Sequence, residues 1–225
     1  MEQLIVNKKG RLDAADNSFS PAVKVMAVLF SYLFHPLFVI AWVSLYLIYY
    51  NHYIFTGIEG FDKLKIFLSI FSTNIFLPLI TVLLLKGLGF IQSIQLRTQK
   101  ERIIPYVACI TFFFWSYYVS RQLQYPLELR AFLLSAFIAA SVSLLFNNYM
   151  KISMHAISAG GLTALFILLL FNNKVDDGLS LLLAFLAAGI TCTSRFIASD
   201  HKPQEIYTGF ITGLIIQIIA WFIAL

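Results

Sequence analysis

Long apolar runs alternate with short polar interruptions along almost the whole chain. Seven apolar segments fall at about 22–50, 63–87, 104–120, 130–147, 155–172, 178–198 and 206–225. Crossing ~30 Å of hydrocarbon at ~1.5 Å per residue takes ~20 residues, roughly the length of these runs. None of them alternates with period two, and internal glycine is sparse, so helices are predicted rather than strands of a barrel. The first run is too long for one untilted span. His35-Pro36 offers a natural break in it, because proline supplies no backbone N–H to the preceding turn. The part before the break, AVKVMAVLFSYLF, suits a position along the interface. The expected fold is all-α, a polytopic integral membrane bundle of six to seven transmembrane helices.

Composition agrees with the pattern. Hydrophobic residues make up 60% of the 225 and charged residues 12%, against about 25% charged in soluble domains. Connections are short and composition does not shift along the chain. A polar lead over residues 1–21 and a single helical domain over 22–225 are therefore predicted. The lead lacks the basic, apolar and small-residue layout of a cleaved signal. Cys109 and Cys192 both fall inside apolar runs, which points to buried thiols rather than to a disulfide or a thiolate metal site. The net charge of +5 is spread along the chain and suits anionic head groups or phosphate. Nothing outside the apolar runs resembles an exposed basic helix or a stacking platform, so nucleic-acid binding is excluded.

If all seven segments cross, connections 2–3, 4–5 and 6–7 share one face with the amino terminus. They read QLRTQKERIIP, NNYMKISMH and SRFIASDHKPQE. The opposite face carries ordinary polar loops. Cations and imidazoles therefore gather on one side. With the candidate functional residues set aside, the remaining Lys and Arg divide evenly, so charge asymmetry does not assign that side to a compartment.

In the last of these connections, Arg195 carries a planar fork of donors suited to phosphate oxygens. Pro203 suits the first turn of the last helix, which places Glu205 where it can accept a proton from one ring nitrogen of His201. The other nitrogen is then bare, as a nucleophilic imidazole requires. The plainer alternative is that Glu205 only caps the helix while Arg195 and His201 snorkel to the interface. In the middle connection, Ser153 and the amides at the start of the fifth span offer an oxyanion site, and His155 stands beside them as a proton donor. The first connection offers Arg97, Lys100, Glu101 and Arg102, which otherwise read as a solvated basic loop.

The order of these residues resembles the type-2 phosphatidic acid phosphatase superfamily, the membrane lipid phosphatases related to vanadium haloperoxidases. That family carries KxxxxxxRP, PSGH and SRxxxxxHxxxD at one membrane face. Here the third motif reads Ser194-Arg195, five residues, His201, three residues, Glu205, with glutamate for aspartate. The second reads Ile152-Ser153-Met154-His155. In the first, Arg102 precedes Pro105 by three positions, and the family's lysine position holds Gln95, leaving Arg97 or Lys100 to replace it.

The resemblance implies that His201 attacks phosphorus and forms a phosphohistidine, with Glu205 orienting its ring. It implies that His155 protonates the leaving oxygen and later activates water. Arg102, Arg195, Ser153, Arg97, Lys100, Ser194 and the Met154 amide would surround the phosphate oxygens. The family uses no metal and no cofactor. Its substrates are lipid phosphates or polyprenyl diphosphates, and its bacterial members sit in the inner membrane with the site near the periplasmic face. A second class of function uses the same basic pocket to bind or transport lipid phosphate without turnover. The sequence does not choose a substrate or an oligomeric state.

Overall fold

A computed structural model describes residues 4–6, 12–14, 19–94, 96, 98–174, 178–198 and 201–225. Two short strands, β1 (Leu4–Val6) and β2 (Leu12–Ala14), pair antiparallel ahead of the helical body. Helices follow: α1 Pro21–Leu33, α2 Pro36–Leu45, α3 Gly60–Phe71, α4 Leu77–Gly87, α5 Gln99–Gln122, α6 Leu127–Phe146, α7 Met154–Phe171, α8 Leu179–Ala198 and α9 Pro203–Ala224. Single π-helical turns, Tyr46–Tyr50 and Ser72–Phe76, extend α2 and join α3 to α4. Among the described residues, six helical segments are long and apolar enough to cross a membrane, with α3 and α4 counted as one, and the pair α1 and α2, bent by 58°, makes a seventh when it is counted as one span. The protein is a multi-pass helical membrane bundle.

The bend lies where the sequence places it. His35 has the extended backbone that the residue before a proline prefers, and its ring nitrogen Nδ1 accepts the Leu37 N–H at 3.3 Å, capping α2 behind Pro36. The π-turn before Pro78 places Asn74 in the interior. Its amide donates to the Ile70 carbonyl at 2.9 Å and to the Ser116 hydroxyl on α5 at 2.7 Å, a polar tie between spans in an otherwise apolar setting.

The core runs through α2, α6, α7 and α9, with Val43, Leu47, Leu129, Leu133, Leu165, Leu169 and Trp221 fully or almost fully enclosed. Large apolar side chains outside it face outward all round, including Leu83, Trp115, Leu183, Ile215 and Phe222, as a lipid-facing surface requires. Helices α7 and α9 meet backbone to backbone. A Cβ on Gly213 would lie 1.9 Å from the Ile157 carbonyl oxygen, and one on Gly160 would lie 2.0 Å from that of Phe210. Only glycine lets the two backbones meet in this way.

Both ends of the bundle show which connections belong together. At one end the Asn147 amide donates to the Gln99 carbonyl at 3.0 Å, and the Ser153 N–H donates to the Glu205 carbonyl at 3.3 Å. These bonds stitch together the connections 2–3, 4–5 and 6–7. At the other end the Asn51 side chain donates to the Lys174 carbonyl, and the Lys174 ammonium stands 3.6 Å from the Glu128 carboxylate. The remaining three connections therefore meet there, as the parity of seven segments requires.

Candidate functional site

At the stitched end a cavity of about 790 Å³ opens into the bundle. Its polar part is lined by His35, Arg102, Lys151, His155, Arg195 and His201. Its deeper wall is apolar and includes Ile40, Phe113, Phe132 and Ile216. Among the described residues, no Asp or Glu lines it. A volume of this size, apolar in depth with a few polar groups gathered at one place, has the character of a small-molecule pocket.

His201 stands in the connection just before α9, in the place set by the Lys202-Pro203 start of that helix. Its Nδ1 lies 2.8 Å from Glu205 Oε2, and the same carboxylate oxygen accepts the Lys202 N–H at 3.1 Å. Glu205 thus caps the helix and holds the imidazole with one oxygen, so the two roles read from the sequence coexist. A carboxylate only accepts, so the ring proton sits on Nδ1 and the lone pair of the neutral ring on Nε2. Burial moves the His201 pKa below its ordinary value. Arg195 and Lys151 add to that effect, against the hydrogen bond and charge of Glu205.

His155 lies in the first turn of α7, beside the cavity. Its Nε2 is 3.1 Å from the Ser31 carbonyl oxygen of α1, and its ring meets that of His35 edge to face with centroids 5.2 Å apart. Arg195 occupies the last turn of α8, and Arg102 the first turn of α5. The Nε of Arg102 donates to the Leu96 carbonyl at 2.8 Å, which fixes the root of the guanidinium and leaves its outer nitrogens as donors. The adjoining loop is clamped by Glu101, whose carboxylate accepts the Gln92 N–H at 2.7 Å and completes a capping box with Thr98.

His155, His201, Arg102, Arg195 and Met154 are thus brought to one cavity, with Glu205 behind His201. Other candidates from the sequence stand elsewhere. Ser153 is fully enclosed, does not line the cavity, and has its Oγ accepting the Ala156 N–H at 3.5 Å as the cap of α7. Ser194 is buried in α8, outside the lining, and Lys100 is exposed on the first turn of α5. Arg97 and Gln95 lie outside the described residues. Among the described residues no three His, Cys, Asp or Glu side chains stand close enough to hold a metal ion.

Lys151 and His35 also line the cavity; in the sequence His35 marks the break before Pro36, and Lys151 is one more cation of the connection that carries Ser153 and His155. The signal for His35 was present, since a histidine within an apolar run is a functional candidate by default. Ser31, four residues before it, carried no such signal; its hydroxyl is buried at the cavity wall and finds no hydrogen-bond partner among the described residues.

No family model, curated protein or solved structure matches this chain.

Proposed function

We propose that the protein is a metal-independent phosphatase acting on a lipid phosphate or diphosphate through a phosphohistidine. The observation that carries this reading is the His201–Glu205 pair at 2.8 Å, at a cavity also lined by His155, Arg102 and Arg195. In this reaction His201 Nε2 attacks phosphorus and the bond to the lipid oxygen breaks. A protonated His155 gives its proton to that departing oxygen. Water, deprotonated by His155, then attacks the phosphohistidine; the P–N bond breaks and inorganic phosphate leaves.

Arg102, Arg195 and Lys151 supply positive charge around the phosphoryl oxygens. Phosphoryl transfer depends mainly on such positioning and charge stabilisation. The apolar depth of the cavity suits a lipid tail, and its place between spans lets that tail stay at membrane depth. By the same reading the site faces the periplasmic side of a bacterial inner membrane. The enclosure of Ser153 favours a second reading, lipid-phosphate binding without turnover, because it takes one oxyanion donor away from the cavity.

The test is phosphate release by purified protein in detergent with EDTA present. Phosphatidic acid and a polyprenyl diphosphate are offered in parallel, with His201→Ala as the control. Release by the wild type alone, unaffected by EDTA, is expected. Binding of either lipid without release overturns catalysis in favour of the binder.

A further inference from the structure

We infer that the broken first span is a positioning element of the site: the Ser31 carbonyl, set free by the break at Pro36, holds His155 in one tautomer, and His35 holds its ring from the side. The last four carbonyls of α1 have no partner inside a helix that stops. Each has a partner here. Phe30 takes the Phe34 N–H at 2.9 Å, and Tyr32 takes the His35 N–H at 3.2 Å. Leu33 takes the indole N–H of Trp42 at 3.1 Å. Ser31 takes His155 Nε2, at 3.1 Å, from a residue more than a hundred positions away in the chain.

Proline is the reason Ser31 is available. In an unbroken helix the His35 N–H would bond to the Ser31 carbonyl and the N–H of residue 36 to that of Tyr32. Pro36 has no N–H, so Tyr32 draws the His35 N–H and the Ser31 oxygen is left pointing to another donor. A carbonyl only accepts, so His155 must carry a proton on Nε2. The proton that His155 exchanges is then the one on Nδ1, in every state of the ring.

His35 is fixed by the same break. Its Nδ1 is engaged with the Leu37 N–H, and its ring stands at 90° to that of His155. It is a positioning residue, and it comes from a segment outside all three motifs that suggested the site.

The inference rests on the proposed role of His155, and its test does not depend on turnover. Protein labelled with 15N in its histidine rings is studied in detergent micelles at alkaline pH, where imidazoles are neutral. Long-range proton–nitrogen spectra report the tautomer, and loss of signals in His155→Gln assigns the ring. Wild-type His155 is expected almost wholly as the Nε2–H tautomer. In Pro36→Ala the His35 amide can reclaim Ser31, and in His35→Ala the ring loses its side support; in each the second tautomer is expected to appear, and His35→Phe is expected to suppress it again.

A wild-type ring in the Nδ1–H form or an even mixture overturns the inference. So does a tautomer unchanged in His35→Ala, which remains informative if Pro36→Ala fails to fold. Phosphate release gives the second readout: His35→Ala is expected to lower kcat by roughly tenfold or more with KM unchanged, and His35→Phe to restore it. A wild type that releases no phosphate sinks the phosphatase reading while the spectra still decide this one.

Discussion

Gly213→Ala tests how the site is held. Helix α7 carries His155 in its first turn and α9 carries Glu205 in its own, so their packing sets the distance between the two histidine stations. The new Cβ would lie 1.9 Å from the Ile157 carbonyl oxygen and 2.9 Å from the Gly161 nitrogen, whereas real Cβ contacts essentially never fall under 3.0 Å. Both neighbours are backbone, so neither can swing aside, and the helices must separate locally by at least the missing 1.1 Å. Overpacking of this kind costs about 1–3 kcal/mol, and helix propensity returns at most about 1. A net loss of about 1 kcal/mol corresponds to a melting temperature roughly 2–4 °C lower.

A displacement of about 1 Å at reacting groups costs on the order of a hundredfold in rate, so phosphate release should fall by about that factor. The assays are thermal unfolding in detergent and phosphate release. Gly161→Ala is the matched control, because its Cβ would meet only the Gly213 carbonyl at an ordinary 3.8 Å, and Gly189→Ala meets nothing within 4 Å. A Gly213→Ala protein that melts no lower than Gly161→Ala and keeps its rate would refute the claim that glycine contact fixes the geometry.

Other perturbations separate the roles of single residues. The His201 pKa is lowered by burial and raised by Glu205, so Glu205→Gln removes the raising influence and should move the acid limb of the pH–rate profile to lower pH, with a reduced maximum; a limb moving to higher pH would contradict the assignment. Ser153→Ala removes a helix cap from a residue outside the cavity, so it should cost about 1 kcal/mol of stability and leave KM for the lipid phosphate unchanged, whereas a raised KM would return Ser153 to the phosphate. Ser116→Ala breaks the tie to Asn74 between spans and should destabilise by about 0.6–1.7 kcal/mol in chemical unfolding, without a change in phosphate affinity.

The helical membrane bundle, the parity of its connections and the break at His35-Pro36 are legible in the order of residues alone. These follow from local rules: the length needed to cross lipid, the need to pair backbone groups there, and the missing N–H of proline. That order also places Glu205 beside His201, because four positions at the start of a helix bring the two side chains into reach. Other features depend on packing across the bundle, which no local rule contains. Ser153 and Ser194 carry the same chemistry whether they face the cavity or the protein, and the packing of α7, α8 and α9 turned both away from it. Ser31 and His35 carry no motif, yet the 58° bend of the first segment and its packing on the bundle bring the Ser31 carbonyl to His155. Spacing reports which neighbours along one helix can meet; which carbonyl meets which imidazole across the bundle depends on how closely the helices pack, and here glycine at positions 160 and 213 sets that closeness.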